Sequence, residues 1–91
     1  MTQRNLGDAH YNLGSARFEA GNAAEAVDHF RAALRLMPDS ADVHNNLGVA
    51  LASEGHVTEA VDHFNEALKL RPEFSDAQRN LAAVRQLAPA R

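Results

Sequence analysis

The sequence contains no cysteine, no tryptophan, only three prolines and no long apolar run. Without cysteine the chain has no disulfide scaffold, no thiolate metal site and no thiol nucleophile, and it fits a reducing compartment. No segment approaches the roughly 20 apolar residues of a membrane-spanning helix, and residues 1–6 lack the apolar core of a signal peptide. We therefore expect a cytoplasmic protein without a membrane partner.

Basic residues are too few and too scattered for a nucleic-acid-binding surface. Nine Lys and Arg are spread among twelve Asp and Glu, for a formal net charge of −3, whereas nucleic acid binding needs clustered positive charge. Hydrophobic residues make up 45% of the 91 residues, which indicates one small folded domain. Eighteen residues are alanine, so we expect a core made by close approach of helices rather than by large side chains.

The chain is an internal duplication with a fixed period. Residues 7–40 align with residues 41–74 without a gap and are identical at 17 of 34 positions, and a third copy begins after them. A period of this length is typical of helical repeat proteins, whose stacked units share one core. We therefore predict one domain over residues 1–91, with repeat 1 at 7–40, repeat 2 at 41–74 and a closing helix at 75–88.

Each repeat has the pattern of two helices. In repeat 1 the first runs from about residue 8 to Gly21, since glycine readily enters the left-handed conformation that closes a helix. The second runs from about residue 24 to Pro38, which cannot continue the hydrogen-bond ladder. One face of this second helix carries apolar residues at helical spacing: Ala26, Val27, Phe30, Ala33 and Leu34. No strand pattern competes, so the predicted fold class is all-α.

Two details of the first helices lead to further predictions. Asn5 followed by Asp8 resembles an N-cap with an acidic first turn. Gly14 and Gly48 fall at equivalent places inside the first helices, where glycine costs up to about 1 kcal/mol relative to alanine. A glycine kept in both copies indicates that another helix backbone passes too close for a β-carbon.

These positions resemble the tetratricopeptide repeat. Its signature is Leu-Gly, then Ala with Phe four residues later, then Pro, and this chain has it twice, as Leu13-Gly14, Ala26, Phe30, Pro38 and as Leu47-Gly48, Ala60, Phe64, Pro72. The resemblance covers about residues 7–87 and implies a right-handed superhelix whose first helices line a concave groove. The tryptophan frequent in the family is replaced by His10 and His44, and the aromatic near the end of the first helix by Arg17 and Leu51.

A polar set of side chains recurs on the groove side of the first helices. At roughly 100° per residue, Asp8, Asn12 and Ser15 lie close together, and aspartate and asparagine recur at the same places in the next two copies. A carboxamide both donates and accepts, so a row of them can hold the backbone of an extended peptide. Nearby aspartates favour basic or hydroxyl-bearing side chains and reject acidic ones. The predicted peptide-binding residues are Asp8, Tyr11, Asn12, Ser15, Asp42, Asn45, Asn46, Val49, Asp76, Arg79 and Asn80.

The run from Asp8 to Leu13 and its loose copies are similar to the repeats of O-linked N-acetylglucosamine transferase. In that family the matching asparagines and aspartates contact peptide substrates. The resemblance implies the same role here for Asn12, Asn46 and Asn80, together with Asp8, Asp42 and Asp76. A structural alternative remains open, because asparagine at this place can tie adjacent repeats together and a first-turn aspartate is stabilised by the helix dipole alone. The basic clamp of chaperone-binding members is absent, since Arg79 is the only base among the groove positions.

We predict a module that binds a protein or an extended peptide, with no catalytic activity and no cofactor. The chain has no phosphate loop, no nucleophile elbow and no spacing of its five histidines that suits zinc. We expect Glu25–His29 and Glu59–His63 to be modest exposed pairs one helical turn apart. Two alternatives remain: a homo-oligomer formed through the terminal helices, because so few repeats bury little surface, or a substrate-targeting segment of a larger glycosyltransferase-type protein.

Overall fold

A computed structural model describes residues 2–87, in which the chain forms five α-helices and no strand. The helices are α1 (Gln3–Glu19), α2 (Ala23–Leu36), α3 (Ala41–Ser53), α4 (Val57–Leu70) and α5 (Ser75–Leu87). Each helix packs on the next in the chain, so that they stack into an elongated body of 46 × 28 × 18 Å. The all-α repeat fold predicted from the sequence is confirmed. None of these helices is both long and apolar enough to cross a membrane, and Ala88, the predicted end of the closing helix, lies outside the described residues.

The turn inside each repeat depends on one glycine. Gly21 and Gly55 both have a φ of 85°, in the left-handed region that glycine enters without a β-carbon clash. A β-carbon at either place would meet no atom within 4 Å. Glycine is therefore required for its left-handed backbone conformation and not because space is short. The prediction that glycine ends the first helices is confirmed.

Helix α1 begins earlier than the sequence predicts. The Thr2 hydroxyl accepts a hydrogen bond from the backbone N–H of Asn5 at 3.1 Å and caps a helix that starts at Gln3. The predicted N-cap at Asn5 is therefore wrong, because Thr2 already supplies an oxygen to an otherwise unpaired N–H of the first turn. The additional turn precedes the predicted repeat boundary and makes α1, with 17 residues, longer than the other four helices.

The core combines alanines with two phenylalanine rings and with several leucine, valine and methionine side chains. Phe30 and Phe64 are 1% exposed, and each lies in the second helix of its repeat. Six alanines have no exposed surface at all: Ala26, Ala33, Ala50, Ala60, Ala67 and Ala77. Small side chains at a helix contact permit a short distance between the helix axes. The expected alanine-rich core is confirmed, but the expectation that large side chains do not build it is wrong, because Phe30, Phe64 and Leu47 are fully buried.

The glycines inside α1 and α3 make room for these rings. A β-carbon on Gly14 would lie 2.8 Å from the Phe30 ring, and one on Gly48 would lie 2.6 Å from the Phe64 ring. The close approach predicted from the glycines exists, but a side chain makes it, so the prediction of a passing backbone is wrong. Burial of a phenylalanine contributes about 1.5–3 kcal/mol, which offsets the roughly 1 kcal/mol that glycine costs inside a helix.

The junctions between successive repeats are held by equivalent side-chain hydrogen bonds. His44 Nε2 donates to the carbonyl oxygen of Pro38 at 3.0 Å. One period later, Gln78 Nε2 donates to the carbonyl oxygen of Pro72 at 2.9 Å. Proline ends the second helix of each repeat, and its free carbonyl is satisfied by the first helix that follows. The start of each new first helix is thereby fixed relative to the helix before it.

Candidate binding groove

Three clefts lie along the first helices, and they contain most of the residues predicted to bind peptide. The largest, about 360 Å³, is lined by the early parts of α1 and α3, including Asp8, Tyr11 and Asp42. Two smaller clefts, of about 160 and 150 Å³, have Val49 in common. The first of these also contains the predicted residues Ser15 and Asn46, and the second contains Asn80. The other predicted residues line none of these clefts: Asn12, Asn45, Asp76 and Arg79.

Negative charge dominates the largest cleft. Its lining carries the carboxylates of Asp8, Asp39 and Asp42 and a single guanidinium, that of Arg4. Burial raises the pKa of Tyr11, and the nearby charge of Asp42 raises it further. The Tyr11 hydroxyl therefore keeps its proton at neutral pH and can act as a donor. A cleft of this composition attracts cationic groups and repels carboxylates.

The two smaller clefts are copies of each other in successive repeats. Phe30 and Asn46 line the first, and their equivalents one period later, Phe64 and Asn80, line the second. Val49 lines both clefts. In the second cleft it takes the place that Ser15 has in the first, and in the first cleft it takes the place that Ala83 has in the second. Both clefts are smaller than the roughly 300–1,000 Å³ of a small-molecule pocket. Their size and apolar rings suit single apolar side chains.

The asparagines are joined by hydrogen bonds across all three first helices. Asn80 Nδ2 donates to Asn45 Oδ1 at 3.0 Å, and Asn45 Nδ2 donates to Asn46 Oδ1 at 3.3 Å. Asn46 Nδ2 then donates to the Tyr11 hydroxyl at 3.0 Å. All donors in this carboxamide chain run in one direction, so each bond polarises the next. The chain connects α5 to α3 and α3 to α1, which is the structural role left open by the sequence.

The three asparagines of the predicted row therefore differ in their surroundings. Asn12 is exposed and makes no side-chain hydrogen bond within residues 2–87, whereas Asn46 and Asn80 are half-buried in the carboxamide chain. Asn46 and Asn80 still have unused hydrogen-bonding groups. One N–H of Asn46 and the Oδ1 of Asn80 take part in no hydrogen bond with the described residues. These two side chains tie the repeats and still present groups to the groove.

The three aspartates also differ. Asp42 pairs with Arg71 at 3.0 Å, and Asp76 pairs with Arg79 on the same helix. Asp8 forms no ion pair with any residue from 2 to 87. Exposed pairs contribute little to stability, about 0–1 kcal/mol. Their main effect is that Arg79, the base predicted in the groove, has its charge matched by Asp76.

Four of the histidines form two pairs that join the helices of each repeat. His10 and His29 meet through their Nδ1 atoms at 3.3 Å, and His44 and His63 do so at 3.1 Å. Both pairs lie outside the three clefts. The hydrogen-bond partner of each second-helix histidine is thus another histidine rather than the predicted glutamate.

The two glutamates have other partners. Glu25 pairs with Arg17 at 3.4 Å and Glu59 with Arg31 at 2.8 Å. The charge of Glu59 still acts on His63, but the expected direct pairs are replaced by contacts across helices. No group of three or more His, Asp or Glu side chains suited to a metal occurs in the described part of the chain.

The fold and the sequence together identify the family. Helix pairs stacked at a fixed period define a helical repeat protein, a class whose stacked units build extended binding surfaces. The family model described as tetratricopeptide repeat matches residues 3–41 and 11–73. The chain belongs to the tetratricopeptide repeat (TPR) family. A comparison with curated proteins finds no match.

The solved structures that share this fold include the following three examples. The TPR domain of Arabidopsis OM64 has a TM-score of 0.91 and 15% identity over 93% of this chain and 70% of that one. MamA has a TM-score of 0.85 and 26% identity over 88% of this chain and 47% of its own. The TPR2B domain of yeast Sti1, solved as a complex with pHsp70, has a TM-score of 0.88 and 22% identity over 90% and 66%. The chain thus spans about half of the MamA structure and just under two thirds of the Sti1 structure. Their fold is typically that of a non-catalytic protein-interaction module.

Proposed function

We propose that this domain binds an extended, non-acidic segment of another protein along the groove formed by α1, α3 and α5. The observation that carries the proposal is the repetition of one small apolar cleft in successive repeats, each with a buried phenylalanine and one carboxamide. A repeated cleft fits a repeating ligand, and an extended peptide repeats its side-chain direction every two residues. The cysteine-free composition is consistent with such binding in the cytoplasm.

Side chains and backbone of the peptide have separate contacts in this proposal. Apolar side chains enter the two smaller clefts, against Phe30 and Phe64. The free N–H of Asn46 and the free Oδ1 of Asn80 pair with the peptide backbone. The carboxamide chain holds both groups in place before the ligand arrives, which reduces the ordering cost of binding.

The charges of the groove favour a ligand that lacks acidic residues. In the largest cleft Asp42 is paired with Arg71, and the remaining carboxylates of Asp8 and Asp39 still outnumber Arg4. Arg79, on the opposite end of the groove, is already paired with Asp76. Arg4 is the only cation that lines the largest cleft among residues 2–87, so a carboxylate there meets more negative than positive charge, whereas a lysine, arginine or hydroxyl gains a partner.

Known proteins support the general role but not this choice of ligand. The Sti1 domain was solved in complex with pHsp70, so a domain of the same fold binds another protein. The resemblance to the repeats of O-linked N-acetylglucosamine transferase names Asn12, Asn46 and Asn80, of which Asn46 and Asn80 border the two small clefts and Asn12 lines none of the three. The ligand class proposed for this chain rests on its own charges and clefts.

Binding of synthetic peptides tests the proposal. Fluorescence anisotropy is measured with unstructured peptides in which valine or leucine alternates with lysine or serine, and with matched peptides that carry glutamate instead. We expect the first set to bind and the glutamate set to bind at least about tenfold more weakly, which corresponds to 1.4 kcal/mol.

Two valine variants locate the binding. Val49→Gln removes apolar surface from both small clefts and is expected to weaken binding about tenfold, a loss of roughly 1.4 kcal/mol. Val61→Gln is the matched control, since Val61 is also a half-buried valine but lies on α4 outside the clefts. Equal affinity of the wild type and Val49→Gln, or tighter binding of the glutamate peptides, would contradict the proposal.

A further inference from the structure

The outer face of α1 is apolar and uncovered. This outer face consists of five residues that are spaced alternately three and four positions apart: Leu6, Ala9, Leu13, Ala16 and Ala20. Leu6 is 41% exposed and Leu13 39% exposed, and the three alanines are also exposed. Alternating steps of three and four place all five on one side of a helix, as in the seam of a two-helix coiled coil.

The equivalent face is buried in the other two first helices. Leu47 of α3 and Leu81 of α5, which correspond to Leu13, are 0% and 8% exposed. The neighbouring positions behave in the same way, with exposures of 0–3% at Val43, Ala50, Ala77 and Val84. The preceding helix packs on each of these two helices, α2 on α3 and α4 on α5. Within residues 2–87 no helix covers the outer face of α1. Because the equivalent faces of α3 and α5 are buried, we infer that the outer face of α1 can also pack against a helix.

The face is complementary to itself, and we propose that it pairs with α1 of a second copy in an antiparallel, two-fold symmetric dimer. In the antiparallel register Leu13 lies opposite the partner's Ala9, and Leu6 lies opposite the partner's Ala16. The four layers made by Leu6, Ala9, Leu13 and Ala16 each pack one leucine against one alanine, which keeps the helices close without a cavity. Ala20, the C-cap residue, lies opposite the partner's Thr2 at the end of the contact. An interface related by a two-fold axis requires this self-complementarity.

The polar residues beside the face do not oppose this arrangement. One edge carries Gln3, His10 and Arg17, and the other carries Asn5, Asn12 and Glu19. His10 is already hydrogen-bonded to His29 of its own chain. In an antiparallel pair like edges meet, so Arg17 lies nearest the partner's Gln3 and Glu19 nearest the partner's Asn5. Neither edge brings two acidic side chains or two guanidinium groups together, and so no like-charge repulsion is introduced.

The other end of the stack does not offer a comparable face. The apolar residues of α5 face α4, and the residues that remain exposed on α5 are mostly polar: Gln78, Arg79, Arg85 and Gln86. Leu87 is 67% exposed but belongs to the third cleft. Self-association through α1 alone therefore gives a closed dimer rather than a filament, which would need two different complementary ends.

The dimer is expected to be weak. Helix α1 has 17 residues and is roughly 25 Å long at 1.5 Å per residue. One pair of such helices buries less than the ~1,200–2,000 Å² of a stable protein interface. Association is therefore expected in the upper micromolar range of protein concentration.

Sedimentation equilibrium from low micromolar to millimolar protein tests the dimer. The weight-average mass of the wild type is expected to rise from 9.9 kDa towards twice that value. Leu13→Glu is expected to remain monomeric throughout, because it places carboxylates in the contact. Leu70→Glu is the matched control, since Leu70 is 42% exposed but lies on α4 away from this face, and it is expected to dimerise as the wild type does.

Cysteine variants test the orientation of the helices. The chain has no cysteine of its own, so only introduced residues can cross-link. Under mild oxidation a mixture of Ala9→Cys and Leu13→Cys chains is expected to form the mixed disulfide faster than either chain forms its own, because only the antiparallel register brings positions 9 and 13 within disulfide distance. Faster formation of the two homodisulfides would overturn the antiparallel arrangement.

The outcomes are separable from those of the peptide experiment. A wild type that stays monomeric at millimolar concentration, or a Leu13→Glu variant that dimerises equally well, would overturn the dimer. Circular dichroism shows whether Leu13→Glu is folded, and a 39% exposed side chain outside the core makes a folded variant the expected result. Leu13→Glu is also expected to bind groove peptides as the wild type does, because Leu13 lines none of the clefts.

Discussion

Repeat 1 and repeat 2 are identical at half of their positions, yet the same residue has different surroundings in the two. Leu47 is 0% exposed, whereas Leu13, its equivalent in repeat 1, is 39% exposed. His44 is hydrogen-bonded to both His63 and the Pro38 carbonyl, whereas His10 is bonded to His29 alone within the described residues. Repeat 2 lies between two neighbours and repeat 1 has one. The environment of a residue in a helical repeat is therefore set by the adjacent unit as much as by its own.

The largest expected difference between the repeats is in their leucines. Leu47→Ala leaves a cavity in a closed part of the core and is expected to lower the free energy of unfolding by about 2–5 kcal/mol. Leu13→Ala removes a partly solvated side chain and is expected to cost no more than about 0.5 kcal/mol. Urea unfolding followed by circular dichroism measures both, at a low protein concentration where the proposed dimer is absent. Similar losses for the two variants would mean that the outer face of α1 is covered in solution.

The asparagines give a smaller difference of the same kind. Asn46→Ala breaks the carboxamide chain at both of its bonds, to Asn45 and to Tyr11, and is expected to cost about 1 kcal/mol of unfolding free energy. Asn12→Ala removes an exposed side chain and is expected to change stability by less than about 0.5 kcal/mol.

Tyr11→Phe provides the control for the asparagine comparison. It removes the hydroxyl that accepts from Asn46. The double variant Tyr11→Phe/Asn46→Ala is then expected to lose less than the sum of the two single variants, because both remove the same bond. Strict additivity would show that this hydrogen bond contributes nothing to stability.

Much of the fold was predictable because its determinants are local and repeated. The period, the glycine turn and the proline end each depend on a few neighbouring residues, and every one of them occurs in both copies. Two predictions failed where the cause was not local. The Thr2 cap lies ahead of the predicted repeat boundary, so comparison of the repeats gives no sign of it. The clash at Gly14 is made by Phe30, which the pattern of α1 alone cannot reveal.

The candidate groove was predictable only as a set of positions. Helical periodicity placed Asp8, Ser15 and Asn46 on one side, and all three line clefts. It treated Asn12 and Asn46 as equivalent, although only the second has a helix before it that supplies the Tyr11 hydroxyl. The phenylalanine in each small cleft comes from the second helix of a repeat, whereas the asparagine comes from a first helix. The periodicity of a single helix therefore cannot predict that the two residues share a cleft.

The histidine pairs were also missed, although the sequence contains a sign of them. His10 precedes His29 by 19 residues, and the same separation recurs between His44 and His63. A long-range coincidence of this kind becomes informative only once the packing of the two helices is known. Its consequence is a dependence of stability on pH, which is expected to be the smallest of the three differences between the repeats.

Burial lowers the pKa of His63 from its ordinary value of 6.5, and the adjacent His44 lowers it further. The charge of Arg31 also lowers this pKa, whereas the charges of Glu59 and Asp62 raise it. Because the Pro38 carbonyl accepts from His44 Nε2, the neutral His44 ring accepts at Nδ1 from His63. A proton on both rings would set two N–H groups against each other at 3.1 Å. The folded state therefore binds protons less readily than the unfolded chain.

The stability that depends on neutral His63 is complete well above pH 6.5 and is lost as the pH falls from 6.5 through the lower folded-state pKa. We expect the wild type to lose unfolding free energy over this window, and His63→Asn, which keeps a donor for His44 but does not titrate, to lose less. Urea unfolding at pH values from 7.5 down to 5 measures the difference, and His29→Asn reports what the equivalent pair of repeat 1 contributes. Identical pH profiles for the wild type and His63→Asn would show that the pair in repeat 2 does not couple folding to protonation. A smaller loss in His63→Asn but not in His29→Asn would show that a histidine pair couples folding to protonation in repeat 2, which has a neighbour on each side, and not in repeat 1.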